Sequence, residues 1–283
     1  MDVVFVKYGK HGGMGIHRGD KSVKHLNIAF GDSVSCVSPE EARDMEHKDK
    51  IFILIFEYDV TLAKMIRTSG GYVVWDSLDS TKVRKYLGDD SFNAFLLPSN
   101  AAVLACVDGI PKMGCVHFWT FDDIPDVPDD RPFGVVYCGG PSEKPLANNR
   151  PGVVLSLWGH PLFSDEKQRL KYLDKAVSFP FHISLRNNIF KPQSKITIAA
   201  RCGSCIITNK EDGPADEILG DKDYPYLCDK PGDGPKMIQY AKETYLKEPW
   251  FKGLEIMEQV KKETSDKVIV KQYMDFFDEV RRC

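Results

Sequence analysis

Residues 179–227 read FPFHISLRNNIFKPQSKITIAARCGSCIITNKEDGPADEILGDKDYPYL. An apolar, strand-like run opens the stretch and ends in Arg186. A polar turn with Lys191, Pro192, Gln193 and Ser194 follows, and Lys195 starts a short helix of small residues, Ile196 to Arg201. Gly203 ends that helix, as a residue without Cβ commonly does. Cys205-Ile206-Ile207-Thr208 is a second buried-strand run, and an acidic loop, Glu211 to Glu217, comes after it. Strand, basic loop, helix, strand, acidic loop is the order of a βαβ half that holds a nucleotide, with cations for its phosphates and a carboxylate for its ribose.

The same alternation extends outward on both sides. Phe133 to Cys138 reads as a strand with Gly139-Gly140-Pro141 at its end, and Val153 to Trp158 as another. Ser164 to Leu173 is a helix with Asp165 and Glu166 in its first turn, where acids suit the dipole. Lys236 to Lys247 is an amphipathic helix, and two further helical segments run over 250–264 and 268–282. Ahead of Phe133 the pattern breaks: Thr120 to Pro132 has three prolines, five aspartates and no periodicity, and reads as a linker.

Before that linker lies a second alternating half. Residues 2–8 form a buried-type strand followed by the glycine-rich loop Gly12, Gly13 and Gly15. Residues 26–30 and 34–37 read as short strands or irregular structure. Ser38-Pro39-Glu40-Glu41 is a helix start, with Ser as N-cap and Pro at the first helical position. Ile51 to Tyr58 is near-continuously apolar, as a central parallel strand must be. Helix 61–68, strand 72–75, helix 81–87, strand 92–97, helix 101–107 and strand 113–119 complete a doubly wound pattern. The predicted fold class is therefore α/β: two Rossmann-like, doubly wound domains facing a cleft, over 1–122 and 132–265.

Composition narrows the classes. The 283 residues are 42% hydrophobic and 28% charged, ordinary for a globular chain of two domains. A net charge of −3 gives no overall pull toward nucleic acid or anionic membrane. No apolar run nears the ~20 residues of a membrane helix. Asp2 stands where a signal peptide would be basic, so a cytoplasmic protein is expected. Eight scattered cysteines, most in apolar runs, read as reduced core thiols. Cys202-Gly203-Ser204-Cys205 has redox-motif spacing but lies between a helix end and a strand start, without a second pair for zinc.

Ligands bind doubly wound sheets at the carboxyl ends of their strands, so the residues placed there carry the chemistry. Arg186, Lys191 and Lys195 around one helix start make either a diphosphate cradle or a solvated basic loop. Asp216 or Glu217 could accept from ribose hydroxyls or cap a helix near Pro214. Asp76 and Asp79 directly follow an apolar strand, where a carboxylate either serves as general base or shapes the turn. His17, His117 and His182 could each meet a phosphate, shuttle a proton or be structural. No HxH, HExxH or paired-carboxylate spacing calls for a bound metal.

The run from Arg186 to Leu227 resembles the donor-binding half of GT-B glycosyltransferases, nucleotide-sugar-dependent enzymes of two Rossmann-like domains. The resemblance rests on Lys191-Pro192-Gln193-Ser194-Lys195 leading into Ala199-Ala200-Arg201-Cys202-Gly203-Ser204-Cys205-Ile206-Ile207-Thr208. Tyr72 to Asp79 and Val136-Tyr137-Cys138-Gly139-Gly140 look like further strand ends of that family. The resemblance implies a metal-independent transferase with a nucleoside-diphosphate sugar such as a UDP-sugar as co-substrate and no tightly bound cofactor. Donor contacts would come from Arg186, Ser194, Lys195, Gly139, Gly140, His182, Asp216 and Glu217. Catalysis would fall to Asp76, with Asp79 and His17 behind it, and the loop of Gly12, Gly13 and Gly15 would face the cleft. The C-terminal helix, 266–283, would cross back to the first domain. The sugar moved would be a hexose or pentose. The acceptor would be a glycan, a small molecule or a modified DNA base of the kind that compact bacterial, phage and viral members use, although the charge gives DNA no support. The family's E-x7-E motif is missing: eight positions before Asp216 or Glu217 stand Thr208 and Asn209. A non-catalytic, two-lobed nucleotide-binding protein is the alternative.

Overall fold

The computed structural model describes residues 2–9, 15–77, 89–97, 99, 113–116, 119, 121–139, 153–157, 166–186 and 193–282. Contacts divide the chain into two units. The first takes Met1–Trp119 and, later in the chain, Asp266–Cys283; the second takes Thr120–Ile189 and Gln193–Ser265.

In the first unit, β1 (Val3–Val6), β2 (Val34–Val37), β3 (Ile51–Ile55), β4 (Tyr72–Asp76), β5 (Ala94–Leu97) and β6 (Met113–Cys115) form one parallel sheet in the order β2-β1-β3-β4-β5-β6. Every residue of β3 is buried, which explains its unbroken apolar sequence: helices cover both faces of a central parallel strand. The chain leaves β1 in opposite directions to reach β2 and β3, so a topological switch lies at β1. Three helices are set by local chemistry. A π-helical turn, Gly15–Asp20, leads into α1 (Lys21–Phe30). Residues 26–30, expected as strand or irregular, are the end of that helix: Ser22 and Leu26 stand four apart on its buried face, and Gly31 stops it at φ 69°. In α2 (Pro39–Asp44), Ser38 and Glu41 close a reciprocal capping box. In α3 (Val60–Thr68), the Asp59 carboxylate caps Leu62 N–H at 2.9 Å.

The second unit holds β7 (Val135–Gly139), β8 (Val153–Leu157), β9 (Phe181–Ile183), β10 (Cys205–Asn209) and β11 (Leu227–Cys228), again all parallel, in the order β11-β10-β9-β7-β8. Its switch lies at β7, flanked by β8 and β9. The helices are α4 (Glu166–Val177), α5 (Ser194–Arg201), α6 (Gly213–Leu219), α7 (Gly234–Thr244) and α8 (Glu248–Glu263). Residues Ser194 to Ala200 of α5 are all buried, which is why that helix is built from small and β-branched side chains. Gly203 follows it at φ 57°, the left-handed turn in which a glycine commonly ends a helix. Gly253 lets α8 lie close to the sheet, since a Cβ there would come within 2.8 Å of Cys205 Sγ and 3.0 Å of Tyr226.

Two further features differ from the sequence expectation. The acidic stretch 211–217 is not a loop throughout: α6 begins inside it at Gly213, with Pro214 in the first turn. The proline-rich segment is also more than a tether. Phe121 is buried beside Tyr172, and the Arg131 guanidinium donates to the carbonyls of Val177, Phe179, Cys202 and Gly203 and to Ser204 Oγ. One arginine thus ties off the ends of α4 and α5, whose last carbonyls have no partner within their own helices.

The last helix, α9 (Asp266–Val280), returns to the first unit and buries Ile269, Tyr273, Phe276, Phe277 and Val280 in the core of that sheet. Phe5 of β1 meets the Tyr273 ring edge-on at 5.8 Å. No helix among the described residues is long and apolar enough to cross a membrane.

Candidate functional site

At the carboxyl edge of the second sheet, β9 continues past its last residue, with Ser184 N–H donating to Ile207 O, and delivers Arg186. The side chain of Asn209, at the end of β10, then replaces the strand ladder. Its Oδ1 accepts from Arg186 N–H at 2.9 Å and its Nδ2 donates to Arg186 O at 2.6 Å. This amide clamp holds the Arg186 backbone where the sheet can no longer do so. The guanidinium is 5% exposed and is met by the fully buried carboxylate of Asp212, Nε at 2.9 Å and Nη2 at 2.8 Å. Asp212 occupies the N-cap of α6, yet its side chain makes no cap hydrogen bond. Carboxylates at that position ordinarily cap; this one serves the arginine instead.

Lys195 lies in the first turn of α5, buried with Ser194 and Gln193. Its Nζ donates to Tyr137 Oη at 3.1 Å and sits 4.5 Å from the centre of the Tyr137 ring. Tyr137 is on β7, two residues before Gly139, which ends that strand. The second unit therefore carries two buried cations, each with a named side-chain partner, on elements that end at the edge where doubly wound sheets take ligands. Asp216 and Glu217 are exposed on α6 of the same unit. Gly140 and Lys191 lie outside the described residues.

His182 is placed differently from the expectation. It points into the core of β9, where only its Nε2–H can donate to the carbonyl of Ala176, at 2.9 Å. Burial drives its pKa down to about 4, against the pull of that hydrogen bond and with help from Arg131, so the ring is neutral near pH 7. The buried ring offers a phosphate no charge, and its Nε2–H is committed to Ala176 O, so His182 does not fit a donor contact.

In the first unit, Asp76 ends β4 as expected but is fully buried. Arg18 Nε lies 3.2 Å from its Oδ2, and the same guanidinium donates to Tyr273 Oη at 3.1 Å and Val116 O at 2.9 Å. Such a pair fastens the π-helical turn, β4 and α9 together. A carboxylate enclosed in that way is a structural ion pair rather than a base that could reach a substrate hydroxyl. Gly15 opens the π-helical turn, and His17 falls within it, its side chain outside the described part. Gly12, Gly13, Asp79 and His117 lie outside the described residues. A non-glycine residue, Phe56, takes φ 67° directly after β3, at the carboxyl edge of the first sheet.

Sequence reasoning passed over Asn209 and Tyr137, and took Asp212 only as part of the acidic loop Glu211 to Glu217. Asp212 carried a signal in hindsight, as an aspartate just before Gly213-Pro214; the other two are set by tertiary register.

No protein-family profile matches the chain, and no curated protein matches it in sequence. Solved structures match it in shape. A glycosyltransferase from Rickettsia africae ESF-5 superposes with a TM-score of 0.69 at 10% identity, over 99% of this chain and 98% of that one. HepE from Anabaena, solved in complex with UDP-glucose, gives 0.67 at 12% identity over 100% of each chain. Against the GtfA/B complex the TM-score is 0.59 at 10% identity, over 87% of this chain, which spans 60% of that one. The chain has the GT-B glycosyltransferase fold.

Proposed function

We propose that the protein is a glycosyltransferase that moves a sugar from a nucleoside-diphosphate sugar to a hydroxyl-bearing acceptor. The observation that carries this reading is the pair of buried cations, Arg186 and Lys195, at the carboxyl edge of the second sheet in a GT-B fold. The likeness to HepE, whose complex holds UDP-glucose, supports a UDP-sugar as the donor.

In this reading the donor's diphosphate lies against Lys195, Ser194 and Arg186, near the end of β7 at Gly139. Its ribose falls toward Asp216 and Glu217 on α6. The acceptor oxygen forms a bond to the sugar's anomeric carbon as the bond from that carbon to the β-phosphate breaks. The diphosphate leaves with the electron pair, and fixed cations in a water-poor site stabilise it as its charge develops. The acceptor proton passes to a base in an inverting course or to the leaving phosphate in a retaining one. With Asp76 committed to Arg18, Asp79 and His17 are the base candidates. The first unit is assigned to the acceptor and the second to the donor.

A thermal-shift titration with UDP, GDP and ADP tests donor binding, and mass detection of a glycosylated product tests turnover. Stabilisation by a nucleoside diphosphate without any product would favour the non-catalytic binder. No stabilisation by any of the three would reject the donor site.

A further inference from the structure

A groove of about 680 Å³ opens in the first unit beside the switch at β1. Lys7, Tyr8 and Gly9 follow β1 on one side; Ser38, Glu40 and Glu41 follow β2 on the other, with Asp20 and Cys36 between. That volume lies within the range of small-molecule sites and suits one or two sugar rings.

Among the described residues, each feature that could attract an anion into this groove is already neutralised from within. Lys7 Nζ contacts both carboxylate oxygens of Asp20, at 2.7 and 2.9 Å. Partial burial would lower the lysine's pKa, but Asp20 outweighs it and the net shift is upward, so the pair stays charged. The start of α2 would be the natural phosphate seat, yet its own residues fill it. Ser38 Oγ accepts from Glu41 N–H at 3.2 Å, and Glu41 Oε2 accepts from Ser38 N–H at 2.7 Å. Glu40 adds a second acid to that first turn, with Arg43 3.7 Å away. Tyr8 Oη donates to Asp59 Oδ2 at 3.2 Å and so offers an incoming group its oxygen rather than its proton. Among the described lining residues Lys7 answers Asp20 and Arg43 stands by Glu40, which leaves the Glu41 carboxylate, bound to Ser38 N–H, as the acid with no cation beside it.

We propose that this groove holds the acceptor and that the acceptor is a hydroxylated molecule bearing no phosphate or carboxylate, such as a neutral sugar or an amino sugar. The proposal rests on the transferase reading and narrows it: phosphorylated sugars and nucleic acids are excluded as acceptors. Carboxylates suit hydroxyl and ammonium donors, and an added anion would meet the Glu41 carboxylate, which no described cation balances.

The test uses the full chain in two measurements. Hydrogen exchange is followed over 7–9 and 34–41 with methyl glucoside, glucosamine, glucose 6-phosphate or a short oligodeoxynucleotide present. Product formation from UDP-glucose is followed with the same four. We expect protection of both segments by the first two probes and none by the anions. In Glu40→Lys, the kcat/KM for glucosamine relative to methyl glucoside should fall about tenfold, the scale of one close charge contact, with the KM for UDP-glucose unchanged. A preference for glucose 6-phosphate or the oligonucleotide, or turnover with neither segment protected, overturns the groove assignment and leaves the transferase standing. Failure of the wild-type protein to bind any nucleoside diphosphate overturns both.

Discussion

The guanidinium of Arg186 and the carboxylate of Asp212 meet through a single oxygen, Oδ2, which takes both Nε and Nη2. The two residues are 26 apart in the chain and sit at the ends of neighbouring strands, β9 and β10. Because both are buried, neither charge is stable there alone. Asp212→Ala should cost about 3–5 kcal/mol, the usual penalty for stripping one member from a buried pair. Urea unfolding measures it. The double variant Arg186→Met/Asp212→Leu should recover most of that loss while abolishing nucleotide binding, because it removes charge without leaving one orphaned.

Lys195 separates binding from folding more cleanly. Lys195→Met keeps an aliphatic stem of similar length and deletes the charge together with its hydrogen bond to Tyr137 Oη. Nucleoside-diphosphate affinity should drop about 10- to 100-fold, the worth of one charge-assisted hydrogen bond. The melting temperature should change little. Calorimetric titration reads the first quantity, and an unaltered affinity would remove Lys195 from the site.

The histidine that left the donor site acquires a pH signature. His182 has a folded pKa of about 4 against an ordinary 6.5, so between those values the unfolded chain binds more protons than the folded one. Stability therefore rises with pH across that window and is lost as the pH falls from 6.5 toward 4, by ~3 kcal/mol for a shift of this size. His182→Gln can keep a donor toward Ala176 O and cannot titrate. Its stability should vary less between pH 4 and 6.5 than that of the wild type, compared by urea unfolding at several pH values.

Redox chemistry at Cys202 and Cys205 should be absent in the folded protein. Burial pushes both thiols up to about 12, with Arg131 opposing it in each case, so almost no thiolate exists at neutral pH. Labelling by a disulfide reagent should track global unfolding. Fast reaction of either thiol in native buffer would contradict the burial seen at the start of β10.

The fold was legible because parallel sheets leave strong marks. The all-apolar IFILI of β3 and the Cys205–Thr208 run announced buried strands, and Ser38-Pro39-Glu40-Glu41 announced a capped helix. Arg186 and Lys195 were legible as cations at element ends. Their partners were not. Asp212 reads locally as a helix cap, and only the register of β9 against β10 gives it to Arg186. Asp76 reads as a carboxylate at a strand end, and nothing near it in sequence reveals that Arg18 and Tyr273 enclose it. Residues 26–30 misled because exposed Ile28 and Ala29 stand near buried Leu26, so the run reads as largely apolar although only Leu26 of it is buried.

The return of α9 to the first sheet sets an order of assembly. Asp266–Val280 follows the entire second unit in the chain, yet Tyr273 completes the surroundings of Arg18 and Phe277 closes the core around β1. During synthesis at ~5–20 residues per second, the first unit emerges early and must wait, its apolar face uncovered, until the second has been made. The unit translated second is then the one able to finish first. A chain cut before residue 266 should leave the second unit folded, while the first exposes the surface that chaperones recognise.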